Sequence, residues 1–327
     1  MSDVSFYKIP VYIKNIPTRI RQIGIGRYLY TIFNLLGIGS EFSRNIIRIL
    51  KVFLKPLSYY KSLNYKPYIK FTKNISIPED TKSLYIPKKD LSGADELIKH
   101  CRNIYIKNRK KVVKNFKQPY YTLIDNNAED MEPSKEKIFN LKPILKFASQ
   151  NLLIGVVSQH YKQIPIIAGI SLNYTGAMKA SEKPINAQRF HRDLHDKKLL
   201  HLVIPIYEIK DEHGPFTYID TKTSKKIVDF LGHKGGRIDD DDVHRFAKKK
   251  NIIKLTGKAG SAFFMNPYYS IHFGGRVKKG FRLQLIISYA PPNLAIENVG
   301  FLNRRGYQKS LVDEYSTIQE KKLLNIY

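Results

Sequence analysis

The sequence predicts an α+β fold, because segments with the periodicity of amphipathic helices come first along the chain and short β-rich segments follow them. The change comes near Ile166, after which Gly, Pro and Asn separate the apolar segments. The predicted strands are Ile166–Tyr174, Leu199–Tyr207, Phe216–Ile219, Ile252–Leu255, Ala262–Met265 and Leu283–Tyr289. Many short strands in succession indicate a closed or double-sheet β structure. We therefore predict a double-stranded β-helix, or cupin-like jelly roll, with an N-terminal helical region packed on it.

Three parts follow from this pattern. Residues 1–130 are expected to form an N-terminal, mainly helical region, residues 131–295 the jelly-roll domain, and residues 296–327 a helical C-terminal tail. Within the first part, the segment from Ser92 to Lys117 has a serine suited to an N-cap and an apolar face that includes Cys101. We expect Cys101 to be a buried thiol on that helix. Another helix begins near Ser134, and Pro143 is expected to interrupt or restart it.

Residues 40–57 have the pattern of a basic amphipathic helix that Pro56 stops or bends. Its basic face carries Arg44, Arg48, Lys51 and Lys55, and its apolar face carries Ile46, Ile47, Leu50, Phe53, Leu54 and Leu57. Two interpretations stay open. The favoured one is that the apolar face packs on the protein's own domain, and the other is that the helix lies in a membrane interface.

The chain of 327 residues has a formal net charge of +28, which favours anionic partners or substrates. Lys and Arg are spread along the chain without a recognised binding motif, so a dedicated nucleic-acid-binding role is disfavoured. Cys101 is the single cysteine, which excludes an intrachain disulfide and fits a reducing compartment. Without a signal-peptide pattern or an apolar segment long enough to span a bilayer, we expect a cytoplasmic protein, with peripheral membrane contact left open.

Four side chains carry the chemistry of a candidate site. His191 and Asp193 are two residues apart, a spacing that on a strand puts both on one face, and His272 comes from a later strand. Two imidazoles and one carboxylate suit a mononuclear Fe(II) centre that keeps coordination positions open. Arg282 lies ten residues after His272 in a β-rich segment. An inward guanidinium is costly unless it meets an anion, and the far carboxylate of 2-oxoglutarate would serve.

The order of these segments resembles the phytanoyl-CoA dioxygenase family of Fe(II)/2-oxoglutarate oxygenases, over about residues 141–291. The matching segments are Gln188–Asp193, Leu199–Tyr207, His213–Ile219, Lys258–Phe264, Ile271–Gly274 and Phe281–Leu283. Two departures concern the site: Phe190 stands where relatives often have Trp, and Asp220–Ser224 replaces a Gly-Ser-His segment. The second departure indicates a different substrate-facing lid.

The resemblance implies roles for individual residues. The implied iron ligands are His191, Asp193 and His272; the implied 2-oxoglutarate contacts are Arg282 with Asn173 or Tyr174; Gln188 is expected to line the substrate pocket. The implied reaction consumes O2 and 2-oxoglutarate, releases succinate and CO2, and hydroxylates a C–H bond of a small-molecule or lipid-like substrate. The carboxylate at position 193 disfavours the halogenase branch of the family. We expect His195, His201, His213, His233 and His244 to be hydrogen-bonded core or surface residues and not ligands.

Two further hypotheses belong to other classes. In one, the jelly roll is a catalytically idle binding protein whose basic surface holds nucleic acid or an anionic membrane. In the other, the protein is an oxygenase that lies on a membrane through residues 40–57 and oxidises a lipid-like substrate.

Overall fold

The structure is a computed structural model. The residues it describes are 29–33, 36, 40–54, 56–72, 75–79, 82–114, 120–124, 135–179, 181–194, 196–233, 235–293, 309, 311–313 and 316–324. Lys55, Ser134 and His195, to which the sequence analysis assigned expectations, lie outside the described residues.

Two antiparallel sheets form the centre of the described structure. The strands of the larger sheet are β1 (Ser83–Ile86), β2 (Tyr120–Ile124), β3 (Ile166–Gly176), β5 (Leu200–Pro205), β9 (Ala262–Met265) and β11 (Phe281–Ala290), in the spatial order β1-β9-β5-β11-β3-β2. The strands of the smaller sheet are β4 (Phe190–His191), β6 (Phe216–Ile219), β7 (Arg237–Ile238), β8 (Ile252–Leu255) and β10 (His272–Phe273), in the order β7-β4-β10-β6-β8.

The two sheets pack face to face, which confirms the predicted jelly roll. One apolar cluster combines Val203 and Phe263 of the larger sheet with Phe216 and Leu255 of the smaller sheet. All four side chains are at most 7% exposed. Burial of each such side chain stabilises the fold by about 1.5–3 kcal/mol relative to an exposed one. The space between the sheets is therefore a packed interior in which only a few polar groups remain.

The larger sheet is buried on both faces, and β11 shows how. Leu283, Leu285 and Ile287 point away from the smaller sheet and pack with the helices. Arg282 and Ser288 alternate with them and point inward. The strand is buried on both faces, so the polar residues Arg282, Gln284 and Ser288 on its inward side stand out as candidates for a polar site between the sheets.

The helices flank this core. Their bounds are α1 Ser40–Leu54, α2 Pro56–Ser62, α3 Lys66–Ile69, α4 Ala94–Lys114, α5 Lys135–Ala148, α6 Asn151–Tyr161, α7 Thr221–Leu231, α8 Asp240–His244 and α9 Ile318–Leu323. Cys101 on α4 is fully buried, as predicted, and burial raises the pKa of its thiol. The expectation for Pro143 is wrong, because α5 continues through this residue. No helix among the described residues is both long enough and apolar enough to cross a bilayer.

The N-terminal region contributes strands as well as helices. Strands β1 and β2 extend the larger sheet at its two edges, where β1 pairs with β9 and β2 with β3. Neither strand was predicted from the sequence. We keep the division at residues 130 and 295 as a proposal, with these two strands as the contribution of the first part to the second.

The favoured interpretation of the basic amphipathic helix is wrong for most of its apolar face. Helix α1 turns its arginines toward the domain: Arg48 Nη2 lies 2.8 Å from Asp196 Oδ1, and Arg44 Nη2 donates to the Leu194 carbonyl at 2.7 Å. Ile47 is buried, whereas Phe53 is 77% exposed. A buried ion pair with a residue 148 positions later in the chain therefore determines which face of α1 is inward.

Candidate metal centre

Two histidines meet on neighbouring strands of the smaller sheet. His191 on β4 and His272 on β10 are register partners, and their ring centroids are 4.3 Å apart. The Nδ1 atom of His191 lies 2.8 Å from the Arg189 carbonyl, and that of His272 lies 2.9 Å from the Ser270 carbonyl. A carbonyl can only accept, so each Nδ1 carries the proton and each Nε2 keeps a lone pair for a metal.

The carboxylate of Asp193 completes a three-residue cluster. Strand β4 ends at His191. Asp193 therefore lies just beyond the strand, whereas the spacing had predicted that it lies on the strand. Its backbone N–H donates to the Pro267 carbonyl at 3.1 Å. Asp193 Oδ1 is 3.7 Å from Nε2 of His191, and Oδ2 is 3.9 Å from Nε2 of His272. One ligand atom from each residue lies within 4.8 Å of the others, close enough for a single ion to draw all three together.

The protonation of the cluster suits a cation. Burial, followed by the neighbouring His272, lowers the pKa of His191 to about 4, and burial also lowers the pKa of His272. Burial by itself would raise the pKa of Asp193, but the hydrogen bond from His201 and the charges of the three nearby imidazoles lower it further than burial raises it. At neutral pH the site therefore offers two neutral nitrogens and one anionic oxygen, the protonation state that metal ligation requires.

His201 is a site residue that the sequence analysis missed. Its Nε2 lies 3.5 Å from Asp193 Oδ2, and its Nδ1 lies 2.8 Å from the Ser288 hydroxyl. His201 and Ser288 are register partners on β5 and β11, and both point toward the smaller sheet. The sequence offered only a weak signal, namely a polar residue within the apolar segment Leu199–Tyr207.

Arg282 extends its guanidinium to the end of β10. The residue is 4% exposed; Nη1 donates to the Gly214 carbonyl at 3.0 Å, and Nη2 approaches the Thr175 hydroxyl at 3.4 Å. A Cβ at Gly274 would lie 3.2 Å from Nη1, so glycine leaves the room that the guanidinium occupies. Gly274 is two residues after His272, which corresponds to about 7 Å along a strand. The cationic group and the histidine pair thus share one region between the sheets.

Gln188 supports this region. Its Nε2 donates to the Gly275 carbonyl at 3.0 Å, and its Oε1 accepts from the Ile185 backbone N–H at 3.0 Å. Gly275 itself has φ +79°, a conformation that favours glycine. The Gln188 amide therefore links its own turn, through Ile185, to the glycine segment beside Arg282.

Strand β3 separates the two candidates for co-substrate contact. Asn173 and Thr175 share the inward face, and Asn173 Oδ1 accepts from the Thr122 hydroxyl at 3.2 Å. Tyr174 points to the opposite face, where it stacks with Tyr105 at a centroid distance of 5.4 Å within the core that the helices cover. The alternation of a strand therefore removes Tyr174 from the site and leaves Asn173.

Neither a protein-family model nor a curated protein sequence matches the chain. Several solved structures are distantly similar to it. AviO1 from Streptomyces viridochromogenes Tue57 is 12% identical with a TM-score of 0.43, and the alignment covers 71% of this chain and 96% of AviO1. EctD from S. alaskensis with 2-oxoglutarate and 5-hydroxyectoine is 14% identical with a TM-score of 0.45, over 65% and 73%. HygX from Streptomyces hygroscopicus with nickel and 2-oxoglutarate bound is 13% identical with a TM-score of 0.41, over 65% and 84%. Similarities this distant carry no weight for what this chain does.

Proposed function

We propose that this protein is an Fe(II)- and 2-oxoglutarate-dependent oxygenase that hydroxylates a C–H bond of its substrate and releases succinate and CO2. The observation that carries the proposal is the convergence of His191, Asp193 and His272 between the two sheets. Two imidazoles and one carboxylate form the ligand set typical of mononuclear non-haem iron with open positions. The order of sequence segments supports placing the protein with the phytanoyl-CoA dioxygenase family.

Arg282 supports 2-oxoglutarate as the co-substrate. A buried guanidinium presents donors in a planar fork that fits a carboxylate, and the group lies near the end of the strand that carries His272. A five-carbon diacid can direct one end to Arg282 and the other to the metal ligands. Asn173, which is inward and 3% exposed, is the second residue that we assign to this co-substrate.

The protein's own residues perform the positioning. His191 and His272 hold their Nε2 atoms toward the cluster through the carbonyls that their Nδ1 atoms contact. His201 positions the Asp193 carboxylate, and Ser288 in turn orients His201. An iron held by His191, Asp193 and His272 would supply the reaction with O2, and the burial of the two histidines limits stray oxidation. We assign Gln188 to the substrate pocket, next to Gly275, to which it is hydrogen-bonded.

The substrate in this proposal is a small or lipid-like molecule, and the net charge of +28 favours an anionic one. We also propose a cytoplasmic location, because Cys101 is a free, buried thiol that suits a reducing compartment.

The test is a pair of measurements on purified protein. With Fe(II), 2-oxoglutarate and O2, we expect slow succinate release without added substrate; His191→Ala and Asp193→Ala should abolish it. His100→Ala is the matched control, because His100 contacts the Asn140 carbonyl on the helical side of the protein. Calorimetry of the metal-loaded protein without O2 should show 2-oxoglutarate binding. Absence of that binding would refute the proposal, and retention on heparin without succinate release would favour the binding-protein hypothesis.

A further inference from the structure

We propose that helices α1 and α2 form a docking surface for an anionic membrane. The docking surface consists of Phe42, Ile49, Phe53, Leu54, Leu57 and Tyr60. Where the protein docks does not depend on the iron site or on the proposed function.

The docking surface is apolar and exposed. Phe42 is 63% exposed, Phe53 is 77% exposed and Leu57 is 62% exposed. Phe42, Ile49 and Phe53 are seven and four residues apart, so they form one stripe along α1. Contiguous exposed apolar side chains of this size mark an interaction site in a soluble protein. A helix with one apolar and one polar face that stays in the interface plane is a common form of membrane contact.

Helix α1 cannot turn this stripe inward, because its other face is tied to the domain. Arg48 and Asp196 form an ion pair in which the side chains are 9% and 0% exposed. Arg44 donates to the Leu194 carbonyl, and its guanidinium carbon lies 5.7 Å from the centre of the Tyr268 ring. Rotation of α1 would leave a buried carboxylate without its cation, which is strongly unfavourable. The outward direction of Phe42 and Phe53 is thus part of the fold.

The charge around the docking surface selects the occupant. Residues 40–72 contain seven Lys or Arg; Arg44 and Arg48 are turned into the domain, and the other five, with one Glu, give a formal net charge of +4. Lys61, Lys66 and Lys70 are exposed and lie close to the docking surface along the chain. Anionic headgroups attract such a basic segment. A second copy of this chain would repel it, because that copy carries a formal net charge of +28. An anionic bilayer satisfies both the apolar stripe and the basic surroundings.

The position of α1 also connects docking with the metal centre. Its two arginines contact Leu194 and Asp196, the first and third residues after the ligand Asp193. A membrane under α1 would therefore lie one helix away from the segment that carries the Asp193 carboxylate.

Sedimentation with lipid vesicles tests the docking surface. Metal-free protein is mixed with phosphatidylcholine vesicles, with or without about a quarter of phosphatidylserine. We expect binding only to the anionic vesicles, and release at about 0.5 M salt, where screening is strong. Phe53→Ser should weaken partition into the vesicles about tenfold, because it removes one large apolar side chain that the bilayer would bury. Phe139→Ser is the matched control: Phe139 is 63% exposed on α5, outside the docking surface, and this variant should partition like the wild type.

Three results would overturn the inference. These are no binding of the wild type to anionic vesicles, an equal loss in Phe53→Ser and Phe139→Ser, and a dimer in sedimentation velocity that Phe53→Ser dissociates. Circular dichroism of both variants checks that they are folded, which their exposed positions favour. The vesicle experiment uses no metal and no 2-oxoglutarate. Failure to bind vesicles would therefore not count against the proposed reaction, and failure to release succinate would not count against the docking surface.

Discussion

Replacement of His201 by leucine should weaken metal binding while the fold stays intact. His201 Nε2 is 3.5 Å from Asp193 Oδ2, and the Ser288 hydroxyl lies 2.8 Å from the other ring nitrogen. Leucine removes the donor and leaves the carboxylate free to rotate away from His191 and His272. Loss of a residue that orients a metal ligand typically costs 10–100-fold in affinity, or about 1.4–2.8 kcal/mol.

The effect on folding should be smaller than the effect on metal binding. The side chain of His201 is 12% exposed, and leucine has a similar volume and suits an apolar strand between Leu200 and Leu202. We expect the free energy of unfolding of the metal-free protein to change by about 1 kcal/mol or less. The two readouts therefore distinguish a positioning residue from a merely structural one.

The assay is calorimetric titration of metal-free protein with Co(II) as a stable substitute for Fe(II), together with urea unfolding. Ser288→Ala should shift the Co(II) affinity in the same direction by a smaller factor, because His201 remains but loses its hydroxyl partner. His100→Leu serves as a control of the same chemistry outside the site. A Co(II) affinity of His201→Leu within about twofold of the wild type would refute the reasoning, since loss of a residue that orients a metal ligand costs about tenfold or more.

Three other predictions concern stability and pH. Arg48→Met should lower the free energy of unfolding in urea by about 3 kcal/mol, because Asp196 stays buried without the guanidinium; a loss below about 1 kcal/mol would contradict this. Asp220→Ala should cost about 1 kcal/mol in the same assay, because Asp220 caps α7 by accepting from the Thr223 N–H, whereas Asp220→Asn should retain most of that contribution. Co(II) affinity should change little from about pH 7.5 to 5.5, because protons compete for Nε2 of His191 only near its lowered pKa of about 4. A steep loss of affinity centred near the ordinary histidine pKa of about 6.5 would show that the imidazole is not desolvated.

Much of the β core followed from the sequence. The segments Phe216–Ile219, Ile252–Leu255 and Ala262–Met265 have the predicted bounds, because each is a short apolar segment between turn residues. Strands β1 and β2 were missed. Each pairs at an edge with a partner far along the chain, and such pairings have no local signal in composition.

The candidate site shows the same division. Residue chemistry and the resemblance of the surrounding segments selected His191, Asp193 and His272, which the structure brings within reach of one ion. They did not select His201, because the role of a histidine in an apolar strand depends on which side chain it contacts in the folded protein. Asn173 and Tyr174 were both candidates from the resemblance, and the packing of Tyr174 against Tyr105 leaves Asn173 as the inward residue.

By itself, the sequence determined the fold class, the bounds of several strands and the types of donor available to a metal, because these depend on side-chain chemistry and local periodicity. The tertiary structure decided which faces are inward. Helix α1 is amphipathic in either orientation, and its apolar stripe points outward only because Arg48 finds the buried carboxylate of Asp196 on a distant segment. Contacts between residues far apart in the chain carry the energy that selects one face, and no local pattern contains them.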